Sequence, residues 1–171
     1  MKFSVTILAL LLAFSATAQN LNSFSATLRP DSLCYLSISK GKAYTSSAAG
    51  EVKTVLDLGL FETKSDKSSI IELYNLKPDN EKIPAALCGT KTKVAAISFD
   101  RDQFDKCKTA ADLKRMTGYI STNSLSHFAV VRNSNDYYQR CFIIEREDGK
   151  RGLIFVTNTG GNVFRAEIKI E

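Results

Sequence analysis

The chain has 171 residues, with 23 Lys and Arg against 18 Asp and Glu, one His, and a formal net charge of +5. Hydrophobic residues make up 44% of it, with three Pro and no Trp, a globular composition that excludes a disordered, collagen-like or low-complexity chain. The basic excess is mild and scattered over Lys40 and Lys42, Lys91 and Lys93, and Lys106 and Lys108, so a solvated basic surface is expected and a nucleic-acid interface is not.

Met1 and Lys2 give a cationic start, residues 3–14 are apolar apart from Ser4 and Thr6, and Ala16-Thr17-Ala18 supplies the small-x-small pattern that signal peptidase accepts. Residues 1–18 are therefore expected to be a cleaved secretory leader, with a mature chain starting at Gln19. The apolar stretch falls short of the roughly 18 residues that a spanning helix needs, and no second apolar segment is long enough to span, so no transmembrane segment is expected after cleavage. Cleavage takes Lys2 and no acid, so the net charge falls from +5 to +4. The 153 mature residues, 171 less 18, suit one domain, residues 19–171, delivered to the periplasm or the cell exterior.

Residues 19–32 read as a polar lead-in. Residues 33–39 alternate, with Cys34, Leu36 and Ile38 on one face and Tyr35, Ser37 and Ser39 on the other, as in a strand with one buried face. Gly41 breaks it, residues 42–45 extend again, and residues 46–53 suit one or two helical turns. Residues 55–61 set Leu56, Leu58 and Leu60 against Asp57 and Gly59, a second alternating strand. A charged turn over 63–68, a strand over 69–74, a loop over 77–84 containing Pro78 and Pro84, and an apolar run over 94–99 follow. Thr109-Ala110-Ala111-Asp112 has capping-box spacing and Gly118 suits a stop, so one short helix is expected over about 109–117, with Leu113 and Met116 facing the core.

The last third predicts a three-stranded antiparallel meander. Residues 138–147 form a strand centred on Cys141-Phe142-Ile143-Ile144, Asp148-Gly149 is a two-residue hairpin turn, residues 152–157 return, and Gly160-Gly161 turns again. Phe164, Ala166, Ile168 and Ile170 then alternate with Arg165, Glu167 and Lys169. With seven or eight strands and one helix, the fold class is α+β and mostly β, an antiparallel sheet arranged like a sandwich or a barrel.

Cys34, Cys88, Cys107 and Cys141 form an even set in an exported chain, which predicts two structural disulfides rather than thiols. Without a C-x-x-C pair, and with one histidine, they do not suggest zinc. Of the three connectivities, Cys34 with Cys141 and Cys88 with Cys107 is favoured, since Cys34 and Cys141 both fall in strand-like runs.

Gly41-Lys42-Ala43-Tyr44, the strand over 55–61, the segment over 104–113 and the run Gly149-Lys150-Arg151-Gly152-Leu153-Ile154-Phe155-Val156 occur in an order that resembles a loosely defined group of exported domains of unknown function from Gram-negative bacteria. The resemblance covers most of residues 41–170 and implies export and a β-rich fold. It carries over no catalytic motif, and the four cysteines depart from its usual pattern.

Catalytic chemistry has few candidates. Asp100-Arg101-Asp102 opens like a calcium loop, but Phe104, Asp105 and Ala111 stand where a ligand, the turn glycine and the bidentate acid belong. His127, with Ser124 or Ser126 nearby, is the one source of an imidazole base, and no G-x-S-x-G elbow accompanies it. Asp57, Glu62, Glu72, Glu145 and Glu147 are carboxylates that a sheet could gather for glycoside cleavage. Tyr137 and Tyr138 point to opposite faces of a strand, leaving one for a surface site. No P-loop or dinucleotide fingerprint is present and no cofactor, metal or catalytic residue is assigned. The expected function is an exported non-catalytic binding or structural module, its partner an envelope or extracellular protein or polysaccharide. The alternative is an exported hydrolase of polysaccharide or peptide using carboxylates gathered by the fold.

Overall fold

The computed structural model describes residues 19–65, 68–81, 83, 85–121, 128–132 and 139–171, and the expected leader lies outside them. Two five-stranded antiparallel sheets make up the fold. The first runs in the order β1 (Asn22–Leu28), β10 (Val163–Ile170), β9 (Arg151–Gly160), β8 (Gln139–Glu145) and β6 (Lys93–Ile97). The second runs β3 (Lys42–Tyr44), β2 (Tyr35–Ser37), β4 (Leu58–Ser65), β5 (Ser68–Asn75) and β7 (Phe128–Arg132). The sheets lie face to face, with β1 beside β3 and β6 beside β7 at their long edges.

Period-two alternation builds the inner layer. Phe164, Ala166, Ile168 and Ile170 are all buried, and Leu28, Ala26 and Phe24 on β1 stand opposite Phe164, Ala166 and Ile168. Ile154 and Val156 on β9, Phe142 and Ile144 on β8 and Val94 on β6 continue this face, which meets Leu36, Ile38, Leu58, Leu60, Ile71 and Leu73 of the second sheet. Each fully buried side chain of this size stabilises the fold by roughly 1.5–3 kcal/mol.

Both sheets are also covered outside, which explains the unbroken apolar runs at 141–144 and 153–156. Helices α2 (Arg101–Lys106) and α3 (Ala110–Thr117) set Phe104 and Leu113 over Cys141, Ile143, Leu153 and Phe155 on the outer face of the first sheet. On the second sheet, α1 (Ser46–Val52), Ile83 and Leu87 pack with Tyr35, Leu56, Tyr74 and Leu76.

The mostly β class, the closing meander and α3 are as expected. Thr109 and Asp112 exchange reciprocal capping bonds, and Gly149 adopts φ +82° in the β8–β9 turn. Three differences have clear causes. Residues 22–28 are a strand, not a polar lead-in, because Phe24, Ala26 and Leu28 alternate with small hydroxyl residues that face outward. The charged stretch after Phe61 stays extended to Ser65, paired with β5. Asp100 begins a helix: its carboxylate accepts from the Gln103 N–H at 2.8 Å while the Gln103 side chain accepts from the Asp100 N–H at 2.9 Å, so α2 is a second capped helix and α1 a third.

α2 is clamped to β10. Arg101 donates two hydrogen bonds to Glu167, at 2.7 and 3.1 Å, and one to Asp105 at 2.9 Å, while the Lys169 ammonium reaches the carbonyls of Phe104 at 2.7 Å and Cys107 at 2.9 Å. The bidentate Arg101 contact holds the Glu167 carboxyl below its ordinary value. A depressed carboxyl stabilises the fold fully above its unfolded pKa of about 4.3, and that contribution is lost as pH falls through the folded value. Glu167→Gln is therefore expected to lower the melting temperature by a few degrees at pH 7 and to narrow the gap to the parent below pH 4, measured by thermal melts across pH 3–7.

Candidate functional site

Among the described residues, the strongest convergence of polar groups lies at one end of the sandwich, where β2 stops, β4 starts and the β8–β9 hairpin turns. Asp57 directly precedes β4, and its backbone continues the ladder: its N–H donates to the Leu36 carbonyl at 2.9 Å and its carbonyl accepts from Leu76 at 3.1 Å. These bonds fix the carboxylate in the interior, with the side chain 1% exposed.

Oδ2 accepts from the Ile38 N–H at 2.7 Å, and Oδ1 accepts from the hydroxyls of Thr90 at 2.8 Å and Thr92 at 2.7 Å. The Arg146 guanidinium lies 4.0 Å from Oδ1 and 3.2 Å from Asp148. A buried carboxylate persists only when its lone pairs are met in this way. The segment bearing the two threonines is held by close backbone contact. Gly89 donates to the Leu76 carbonyl at 2.6 Å and Thr90 to the Leu56 carbonyl at 2.8 Å. A Cβ at Gly89 would stand 2.1 Å from the Leu56 carbonyl oxygen, so only glycine fits there.

Outside this tie a cleft of about 340 Å³ opens, lined by Ser39, Thr54, Asp57, Thr90, Arg146 and the turn acids Glu147 and Asp148, with Val55 the one apolar contributor. Hydroxyls, a guanidinium and carboxylates facing one hollow suit hydrogen bonding to a polar ligand. A groove of about 410 Å³ at Ala95, Ile97, Phe99, Tyr119 and Ile120 is larger, but it is mainly apolar and brings no charged groups together.

Of the five carboxylates proposed for glycoside cleavage, Asp57 and Glu147 share the cleft. The rest are dispersed. Glu62 stands opposite Ile71 and Glu72 opposite Phe61, so the two point to opposite faces of one hairpin. Glu145 is held by Lys93 at 3.3 Å and Arg151 at 3.0 Å, and Glu147 also pairs with Lys91 at 3.2 Å. Asp100 caps α2 and Asp105 pairs with Arg101, so these two acids are used by the helix. His127, Ser124, Ser126, Tyr137 and Tyr138 lie outside the described residues.

The cysteines are not placed as the favoured pairing requires. No disulfide joins them in this structure, and they sort by sheet: Cys107 and Cys141 belong to the cluster outside the first sheet, Cys34 and Cys88 to the cluster outside the second. The sandwich interior separates Cys34 from Cys141. Cys34 precedes β2 and packs outward, and Cys141 points outward from β8, so the expected pairings of Cys34 with Cys141 and Cys88 with Cys107 are not brought together. Burial raises the thiols of Cys34 and Cys107 and pushes Cys141 up to about 12, which keeps these sulfurs protonated and poor as nucleophiles.

Thr90, Thr92 and Arg146 escaped the sequence reading. The one available signal was the Thr-x-Thr spacing, which turns two hydroxyls to the same side of an extended segment. Comparison of the chain with protein-family models, curated proteins and solved structures finds no match.

Proposed function

We propose that this chain is an exported, non-catalytic module that binds a polar, hydroxyl-rich ligand of the saccharide type in the cleft outside Asp57. The observation that carries this reading is the commitment of Asp57: its oxygens accept from one backbone N–H and two threonine hydroxyls beside a guanidinium, which suits a structural tie and leaves little freedom for proton transfer or attack. Around it, Ser39, Thr54 and Arg146 offer donors and acceptors at the cleft. The leader-like residues 1–18 and the β-rich domain agree with delivery to the envelope or the exterior.

A second reading, hydrolysis of a polysaccharide, is favoured by the presence of Asp57 and Glu147 on the same cleft. Titration of the protein with soluble cell-wall oligosaccharides, followed by amide chemical shifts, separates the two. Binding is expected to move the amides of Ser39, Thr54 and Arg146, to weaken at least tenfold in Thr54→Ala and Arg146→Gln, and to proceed without cleavage. Cleavage that Glu147→Gln abolishes would replace the binding reading with the hydrolase, and unshifted cleft amides would remove both from this site.

A further inference from the structure

We infer that Cys107 and Cys141 are the two ends of one disulfide that fastens the end of α2 to β8. Phe104 of α2 packs on Phe155 of β9 with ring centroids 5.3 Å apart, and Phe155 stands directly opposite Cys141 in the β8–β9 register. Cys107 follows Phe104 by three residues, about one helical turn, and its N–H donates to the Phe104 carbonyl at 3.2 Å, so it descends onto the same patch of sheet. Both sulfur-bearing residues are fully buried in one apolar cluster. The Lys169 ammonium bonded to the Cys107 carbonyl fixes the backbone there. Cys34 and Cys88 are on the far side of the sandwich.

The bond forms by thiol–disulfide exchange with a disulfide-bearing oxidant. One cysteine thiolate attacks a sulfur of the oxidant, breaks its S–S bond and releases one reduced thiol. The second thiolate attacks the resulting mixed disulfide and releases the other. The protein gives up two protons and two electrons, and the two oxidant sulfurs leave as thiols. Because docking of α2 buries and protonates both sulfurs, the exchange belongs to folding, before the helix seats.

In the cell the bond depends on the export reading, so the test is made in vitro as well. The full chain is refolded from denaturant in a buffer of reduced and oxidised glutathione, blocked with an alkylating agent and mapped by non-reducing proteolysis and mass spectrometry. A peptide joining Cys107 to Cys141 is expected, along with a melting temperature roughly 10 °C above that of the reduced protein. Linkage of either residue to Cys34 or Cys88, or alkylation of both, overturns the inference. The same map on protein isolated from producing cells reads export separately: a bridge formed with glutathione beside reduced cellular protein that retains residues 1–18 would sink the export reading and leave the pairing intact.

Discussion

Replacing Asp57 with alanine is expected to cost about 3–5 kcal/mol of folding stability, the range seen when one partner of a buried charged set is removed. The cost arises from what is left behind. Without the carboxylate, the Ile38 N–H and the Thr92 hydroxyl lose their acceptor where water does not replace it, each buried orphan costing about 1–3 kcal/mol, and the part-buried Thr90 hydroxyl loses its own at the edge of the cleft. Those donors come from the end of β2 and from the segment entering β6, so the loss is felt in both sheets. Asp57→Asn retains one acceptor oxygen and should fall between the parent and alanine. In urea denaturation the alanine variant should lose most of its midpoint with little change in slope, and its melting temperature should fall by roughly 10 °C or more. A loss below 1 kcal/mol would show that Asp57 does not tie the sheets together, and the cleft carboxylate would then be available for chemistry.

That tie also shows where sequence reasoning stops. The C-terminal meander was legible because Phe164, Ala166, Ile168 and Ile170 alternate over a full strand and Asp148-Gly149 marks its turn, both local signals. The helix at Ala110–Thr117 was legible for the same reason, through Thr109 and Asp112. The strand at Asn22–Leu28 was hidden by its outward serines and threonine, which mimic a polar leader to the domain. The helix at Arg101–Lys106 was hidden because Asp100-Arg101-Asp102 resembles an ion loop, although the Asp100 and Gln103 spacing is itself a capping box. The alternation around Leu58 and Leu60 placed Asp57 on the opposite face from the leucines, but its burial depends on hydroxyls 33 and 35 residues away, and nothing local announces them. The sorting of the cysteines likewise depends on which face of which sheet each one meets, a consequence of β2 starting at Tyr35 and of the outer helix cover on β8.

The outer layer of the first sheet gives the other large effect. Phe104→Ala is expected to cost about 3–5 kcal/mol, the range for deleting a fully buried phenyl ring. Phe104 is 1% exposed, and its ring meets Phe155 below, Lys169 at 4.5 Å and Arg101 at 5.6 Å from its centroid. Removing it leaves a cavity over Phe155 and takes the apolar anchor from a helix of six residues, too short to hold its shape without tertiary contacts. The Arg101–Glu167 pair remains, but a partly exposed ion pair contributes about 1 kcal/mol or less and does not replace the ring. Amide hydrogen exchange should therefore show protection lost first across Arg101–Lys106 and at the Ala110 N–H, which donates to the Gln19 carbonyl, while β8 and β9 stay protected in the surviving sandwich. Phe104→Leu, which keeps most of the volume, should recover more than half of the loss. Equal loss of protection in α2 and in β9 would mean that the outer layer and the sandwich unfold as one unit, so that the helix is part of the cooperative core.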